Sequence, residues 1–570
     1  MVAIGRGGGR PTAPGARFGM RRLLPAAEDL RAMGRSPRRD LTAGLTVAVV
    51  ALPLALGFGV SSGLGAAAGL ATAVVAGVLA ALFGGSATQV SGPTGAMTVV
   101  IVPIVAVHGP SGVLTVGLMA GLILLAMAVL GVGRLMRYVP ASVVEGFTFG
   151  IACVIALQQF PLALGVHADG ERVLAVAGNA VAAFVATPHW PEIGVAAAVA
   201  ALALVGARLR PGVPFSLVGV VLATVVALVA PLDLRLIGAL PAGLPAPSLA
   251  FLDPSTLGAL LPAAAAVAAL AALESLLSAQ VADGLSVGDR HDPDRELVGQ
   301  GLANLVAPLF GGVPATGAIA RTAVNVRAGA TSRLAALSHA VLLAGVVYLA
   351  AWTVALVPVA ALAGVLLATA VRMVDVRSLW SMARATRADA AVLVLTAVAT
   401  VAVDLIWAIG IGLLTAGVLA LRAVARQARL EQVGLADDLP PGDAEREHAL
   451  LAQHIVAFRL DGPLFFAAAH RFLVELPGIV DVAVVILRLS HVTTVDASGA
   501  LALRDAIAAL ERRGVVVYVS GVRDGHHRPF DALDVLTRLR AEGRVFGTTP
   551  QAIAAARQRL QADGVLAGPA

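Results

Sequence analysis

The sequence predicts a polytopic α-helical membrane protein of about 14 spans in two halves, followed by a small α/β domain. Three observations predict it. Of the 570 residues, 58% are hydrophobic and only 13% charged, where a soluble domain carries about 25%. Windows of roughly 20 apolar residues recur between Leu41 and Val424, each long enough to cross a bilayer as a helix, and most lack the polar face that a soluble helix shows. From about His454 onward, short β-branched runs alternate with helical patterns and charge rises, as in a soluble α/β unit.

Residues 1–40 form a basic segment with nine arginines before Asp40 (Arg6, Arg10, Arg17, Arg21, Arg22, Arg31, Arg35, Arg38 and Arg39). Arginines beside a first span favour retention in the cytoplasm. The segment lacks the interleaved aromatics of a nucleic-acid reader, so no nucleic acid is expected as a partner. The chain has no lysine: all 41 basic residues are arginine. That excludes a P-loop lysine and a Schiff-base lysine, and an enzyme is not expected. The single cysteine, Cys153, lies in an apolar run and offers neither a disulfide nor a thiolate metal cluster. No metal and no cofactor are expected beyond a coupling ion.

The hydrophobic segments read as 41–62, 65–84, 94–107, 112–133, 139–164, 190–207, 214–230, 262–282, 296–311, 316–329, 333–351, 355–374, 388–404 and 405–427. They make a transport-sized membrane domain over 41–427, with repeats at about 41–230 and 262–427. A linker at 428–453 leads to the soluble domain at 454–562. An even number of spans puts both ends on one side, here the cytoplasm, in the inner (plasma) membrane. The third and tenth segments are too short to cross about 30 Å of hydrocarbon. Each follows a Gly/Pro-rich break, "SGPTGAM" at Ser91 and "GGVPATGAIARTAVN" at Gly311. Pro93 and Pro314 both fall about 52 residues into their halves. Interrupted segments at matching positions of two halves point to a transporter binding site.

The breaks carry a specific chemistry. A half-helix that begins in mid-membrane exposes amides without intrahelical partners, which is tolerable only beside protein or a water-filled cavity. Two such N-termini facing one another make an anion site from backbone. Gly92, Gly95, Gly312 and Gly317 permit the turn and close approach, Pro93 and Pro314 suit a helix start, and Thr94 and Thr316 can cap or donate hydroxyls to the ligand. Arg321, inside the tenth segment, must face a cavity or a partner. It is expected at or beside the anion, or else holding carbonyls. Glu274, in the middle of the eighth segment with Ser275 and Ser278 nearby, is a carboxyl that can carry a proton, pair with a cation such as Na⁺, or bridge to Arg321. Glu145 reads as an interface or packing residue, Asp404 as a span boundary, and Arg327 and Arg333 as facing the cytoplasm or the headgroups.

In the soluble domain "HIVAFRL", "VAVVILRL" and "GVVVYVSG" read as strands and "ASGALALRDAIAALERRG" as a helix opened by a turn. Ser498 reads as a helix cap beside Asp496. His470 and His491 are scattered, and His526 and His527 read as an exposed loop rather than a metal site.

Taken together, "DLTAGLTVAVVALPLALGFGVSSGLG", "GGSATQVSGPTGAMTVV" and "ESLLSAQVADG…RELVGQGLANLVAPLFGGVPATGAIARTAVNVRAGATS" resemble the SulP (sulfate permease) anion transporter family, and "FRLDGPLFFAAAHRF" with "HVTTVDASGALAL" resembles its C-terminal STAS domain. The resemblance covers about residues 38–560. It implies two inverted seven-segment repeats split into core and gate domains, an elevator-like movement of the core, and a homodimer. It also implies that Phe58 lines the anion site, that Thr94, Gly95 and Ala96 face Thr316, Gly317 and Ala320 across it, and that Arg321 stands beside the anion. Glu274 and Ser278 match an acid-plus-hydroxyl pair on the eighth segment. That pair is Asp with Thr in sodium-coupled bicarbonate members, whereas Glu with Ser is closer to the pattern of proton-coupled dicarboxylate carriers. Ser498 matches the serine phosphorylated in anti-sigma-factor antagonists that share the STAS domain.

These readings converge on a secondary active transporter of small anions (dicarboxylate, sulfate or bicarbonate), coupled to H⁺, with the anion between half-helices 3 and 10. The alternatives are Na⁺-coupled bicarbonate symport, an anion channel or exchanger on the same fold, and a membrane-anchored STAS signalling scaffold. Expected partners are the small anion, the lipid bilayer, a second copy of the chain and a cytoplasmic partner of the STAS domain.

Overall fold

The computed structural model describes residues 25–170, 172–210, 213–230, 232–286, 290–403, 405–427, 429–433, 454–465 and 482–565. Asp404, His470, the basic segment up to residue 24 and most of the linker lie outside the described residues. The chain divides into two compact units, one up to Leu413 and one from Leu414.

The first unit is helical. After a short α1 (Ala27–Met33) come α2 (Pro37–Ser61), α3 (Ala66–Phe83), the two-residue strand β1 (Ser91–Gly92), α4 (Gly95–Val129), α5 (Ala141–Gln158), α6 (Phe160–Leu164), α7 (Val173–Ala186), α8 (Trp190–Leu209) and α9 (Phe215–Val229). The second half runs α10 (Leu257–Leu285), α11 (Pro293–Val306), β2 (Thr316–Gly317), α12 (Ile319–Arg327), α13 (Arg333–Leu349), α14 (Ala351–Val354), α15 (Val359–Met373), α16 (Val376–Ala385) and α17 (Arg387–Ala402), and α18 (Leu405–Gln427) runs on from it into the second unit. Among the described residues, eight helices are long and apolar enough to cross a membrane.

Several expected segments take a different form. The third and fourth run on as one helix, α4, bent where Gly109 leaves helical geometry with Pro103 and Pro110 inside the helix. Further helices appear between the expected segments, among them α7 and α16, which are too short or too amphipathic to read as spans. The ninth segment, α11, buries Glu296, Gln300 and Asn304, four residues apart on one face. It is a polar prop inside the membrane unit rather than an apolar span.

The packing is repeated between the halves. α2 packs on α13 as α10 packs on α4, α3 on α13 as α11 on α4, and α5 on α17 as α8 on α15. At the centre β1 and β2 pair antiparallel, Ser91 opposite Gly317 and Gly92 opposite Thr316. Exchanging the halves maps these pairings onto one another. Helices approach closely because the contacts are built from small residues: Ala43, Ala51, Ala55, Ala264, Ala268 and Ala335 are all fully buried.

The second unit contains a mixed sheet. β3 (Arg429–Val433) is antiparallel to β4 (Ile455–Leu464), which is parallel to β5 (Val484–Arg488), then β7 (Val516–Ser520) and β8 (Val545–Phe546), with β6 (Val492–Val495) also on β4. The three strands read from sequence are β4, β5 and β7. Helices α19 (Ala497–Arg512) and α22 (Thr549–Ala562) bury Leu503, Ile507 and Ile553. α20 (His527–Ala532) and α21 (Thr537–Ala541) complete the unit. Two expectations are corrected here. The cap of α19 is Asp496, whose side chain accepts from the Gly499 amide at 2.7 Å, so Ser498 is an exposed residue of the first turn and caps nothing. His526 is buried and His527 opens α20, so the pair is part of a folded corner rather than an exposed loop. His491 is exposed, its Nδ1 3.2 Å from Asp461 Oδ1.

Candidate functional site

The two breaks meet at one cavity of about 310 Å³. Thr94 is the cap of α4, accepting from the Met97 amide at 3.5 Å, which leaves the Gly95 and Ala96 amides as the first of the helix without intrahelical partners. A Cβ on Gly95 would sit 2.2 Å from Ile155 Cδ1 and 3.1 Å from Phe58 Cε1, so only glycine brings this helix end against the aromatic ring. Opposite, α12 begins after Ala318, whose amide donates to Val90 at 2.8 Å. Phe58, Thr94, Gly95, Ala96, Ala320 and Arg321 all line the cavity, together with Glu274.

Arg321 is held from behind. It is 2% exposed; its Nη2 donates to the Pro93 carbonyl at 2.7 Å, while Nη1 has no hydrogen-bond partner. A Cβ on Gly92 would lie 2.8 Å from Nη1, so the glycine of the first break makes room for the arginine of the second. Glu274 accepts a hydrogen bond from the Thr94 hydroxyl at 2.9 Å. No ion pair joins Glu274 to Arg321 among the described residues; both face the same space instead. The arrangement can hold a small anion by two helix ends and one guanidinium, with a carboxyl within reach of the same cavity.

Three expected site residues are placed elsewhere. Thr316 lies in β2 and caps nothing; its hydroxyl meets Ser275 Oγ at 2.9 Å and the Ala271 carbonyl at 3.2 Å. Gly317 is buried, donating its amide to Ser275 Oγ at 2.9 Å, with the Gln89 amide against its α-carbon. The Ser278 hydroxyl donates to Thr322 Oγ1 at 2.9 Å, and Thr322 in turn accepts from the Val90 amide at 3.0 Å. All three bind the second break to α10 and none lines the cavity, because the second half-helix starts at Ile319, three residues after Thr316.

α11 props both breaks. Asn304 brackets Ala315, donating to its carbonyl and accepting from its amide, both at 2.8 Å. Gln300 donates to Ser91 Oγ at 2.7 Å and to Glu296 Oε1 at 2.9 Å, and Glu296 takes the Gly85 and Ser86 amides.

A family model for the sulfate permease family matches residues 38–396, and one for the STAS domain matches residues 449–552. The chain belongs to the sulfate permease family. The bicarbonate transporter BicA of Picosynechococcus sp. is 32% identical over 523 residues, 89% of this chain and 92% of that one. The solved transmembrane domain of a cyanobacterial BicA aligns with a TM-score of 0.59 at 34% identity, covering 67% of this chain and 97% of that one. SLC26A9 aligns with a TM-score of 0.78 at 16% identity over 94% of this chain and 92% of that one, which places the fold. The family is one of transporters rather than enzymes, and this permease is a multi-pass membrane protein.

Within that fold, sequence reasoning missed part of the cavity wall: Val50 and Leu54 of α2, Thr148 of α5, and Thr369, Arg372 and Met373 of α15. The available signal was in "LLATAVRM", where Thr369 and Arg372 put two polar side chains three residues apart on one face of an otherwise apolar helix. One arginine expected at a boundary differs, while Arg327, exposed at the last turn of α12, lines the cavity mouth. Arg333 is buried, donating to the Ala81 carbonyl at 2.9 Å and paired with Asp29 at 3.4 Å. Glu145 takes the Ser378 hydroxyl at 2.7 Å, tying α5 to α16.

Proposed function

We propose that the chain is a secondary active transporter of small anions that binds its substrate between the starts of α4 and α12 and couples transport to H⁺ through Glu274. One observation carries this reading: the cavity gathers Gly95, Ala96 and Ala320 at two helix starts, a buried guanidinium with an unpartnered Nη1, and one carboxyl. The helix ends and Arg321 supply positive charge without a permanent counter-ion, so an incoming anion completes the site. Glu274 is the proton carrier, its carboxyl oriented by Thr94. The cavity reaches Arg327, at the end of α12 near Thr331 and Ser332, which bind Asp40 at the start of α2. Arginines before α2 put that end in the cytoplasm, so the cavity opens inward, and the STAS domain, which follows α18, is cytoplasmic. Movement of the α4–α12 centre against α5, α8, α15 and α17 carries the anion across in an elevator-like step, in a homodimer.

The similarity to BicA, a bicarbonate transporter, favours bicarbonate as a second substrate at the same site, and Na⁺ in place of H⁺ is the alternative coupling ion. The test is radiolabelled uptake of succinate, fumarate, sulfate and bicarbonate into proteoliposomes, with a pH gradient or an Na⁺ gradient imposed separately, for the wild type, Glu274→Gln and Arg321→Ala. Uptake driven by the pH gradient and lost in Glu274→Gln supports H⁺ symport. Uptake driven only by Na⁺ replaces the coupling ion and keeps the site. Absence of uptake for every anion, with the protein folded and inserted, defeats both.

A further inference from the structure

We infer that Arg327 and Arg372 form a second, outer anion subsite in the same cavity, which selects a two-ended dianion such as a short dicarboxylate over single-centre anions. The inference rests on the transport reading above and names its substrate class. The cavity lining contains three guanidinium groups, Arg321, Arg327 and Arg372, and one carboxyl, Glu274.

The cations are also separated. Arg321 and Arg327 lie six residues apart on α12, a rise of roughly 9 Å. Arg321 is buried at the helix start, and Arg327 is exposed at its last turn. Arg372 comes from a different element: with Thr369 and Met373 it forms the face of α15 that lines the cavity. Among the described residues neither Arg327 nor Arg372 has an ion-pair partner. Three other arginines of this unit are paired, Arg295 and Arg333 with Asp29 and Arg134 with Asp294. At the inner end the Arg321 Nη1 is also unpartnered. Unpaired cations at both ends suit a substrate with a carboxylate at each end, one at Arg321 and the helix starts, the other between Arg327 and Arg372. A single-centre anion satisfies one end only.

The test compares succinate (two-ended), sulfate (single-centre dianion) and bicarbonate (monoanion) as proteoliposome substrates and as competitors, in the wild type, Arg327→Gln, Arg372→Gln and the double variant. Thermal unfolding in detergent checks that each variant is folded. The expected result is a succinate KM raised about tenfold or more in the double variant, while sulfate and bicarbonate change by less than about threefold. Equal losses for all three anions that fade at raised salt would reduce the pair to an electrostatic funnel and overturn the subsite. Unchanged KM for all three would mean that the arginines face only the headgroups and would overturn it as well. Wild-type uptake of bicarbonate or sulfate without succinate would overturn the substrate class while leaving anion transport standing. No uptake of any anion would sink the transport reading itself.

Discussion

The Thr94 hydroxyl donates to Oε2 of Glu274 across 2.9 Å, and this bond joins the two halves of the proposed mechanism. Thr94 is the cap of the half-helix that presents its amides to the anion, and Glu274 is the carboxyl on the opposite half of the chain. Binding of the anion at the α4 start and the state of the carboxyl therefore share one side chain.

Thr94→Val removes the hydroxyl at nearly constant shape and leaves a buried carboxyl oxygen without its donor, a loss of about 1–3 kcal/mol. Gradient-driven uptake should fall about tenfold, which corresponds to about 1.4 kcal/mol, and Thr94→Ser should restore most of it. Proteoliposome uptake of both variants checks this. Wild-type accumulation by Thr94→Val would show that the bond plays no part in coupling.

Asn304 predicts a stability effect rather than a transport one. Its side chain closes on both the amide and the carbonyl of Ala315, just before the second break, in a fully buried position. Asn304→Ala orphans both groups. At about 1–3 kcal/mol for each buried unsatisfied group, the membrane unit should melt several degrees lower in detergent, and residues 313–318 should gain hydrogen exchange. An unchanged melt with unchanged exchange would mean that Ala315 finds other partners.

The parts legible in the sequence are those that hydropathy and turn chemistry encode. The two breaks were visible because Gly and Pro interrupt apolar runs, and Arg321 and Glu274 because a charge within a span needs a reason. What could not be read was register. Thr316 looks like the counterpart of Thr94, yet β2 pairs it with Gly92, delaying the second helix to Ile319 and turning Thr316 inward. Ser278 sits one turn from Glu274, but only the packing of α12 shows that its hydroxyl belongs to Thr322. Arg372 was hidden because its cavity wall is assembled from helices distant in sequence. α11 was misread as apolar because its Glu, Gln and Asn are each spaced by aliphatic residues, and their common face emerges only at the helical period.

The soluble unit offers a separation of roles at adjacent residues. Asp496 caps α19 through the Gly499 amide, and Ser498 in the first turn is exposed. Asp496→Ala should lower the stability of that unit by about 1 kcal/mol, seen as faster hydrogen exchange across α19 in the full chain. Ser498→Ala should leave exchange unchanged. Uptake retained in Ser498→Ala argues against a scaffold whose output is that serine, and uptake abolished there with an intact fold would favour it.

The last prediction concerns pH and α1. Asp29 bonds the Arg295 guanidinium at 2.6 Å and lies 3.4 Å from Arg333, fastening α1 to the starts of α11 and α13. Burial pushes the Asp29 carboxyl up, but the bonds from Arg295 and the Ala26 amide, with the charges of Arg333 and Arg295, outweigh it and hold the group below its ordinary value of 3.8. A carboxyl lowered on folding contributes stability that is present above the unfolded value and is lost as pH falls through the folded one. The fastening should therefore be complete at neutral pH and fail only in acid below about that ordinary value, well clear of any pH at which transport is assayed. Asp29→Asn removes the charge at all pH values and should raise hydrogen exchange in residues 27–33 at pH 7 above that of the wild type. Equal exchange in the wild type and the variant at pH 7 would show that α1 is held by something other than this ion pair.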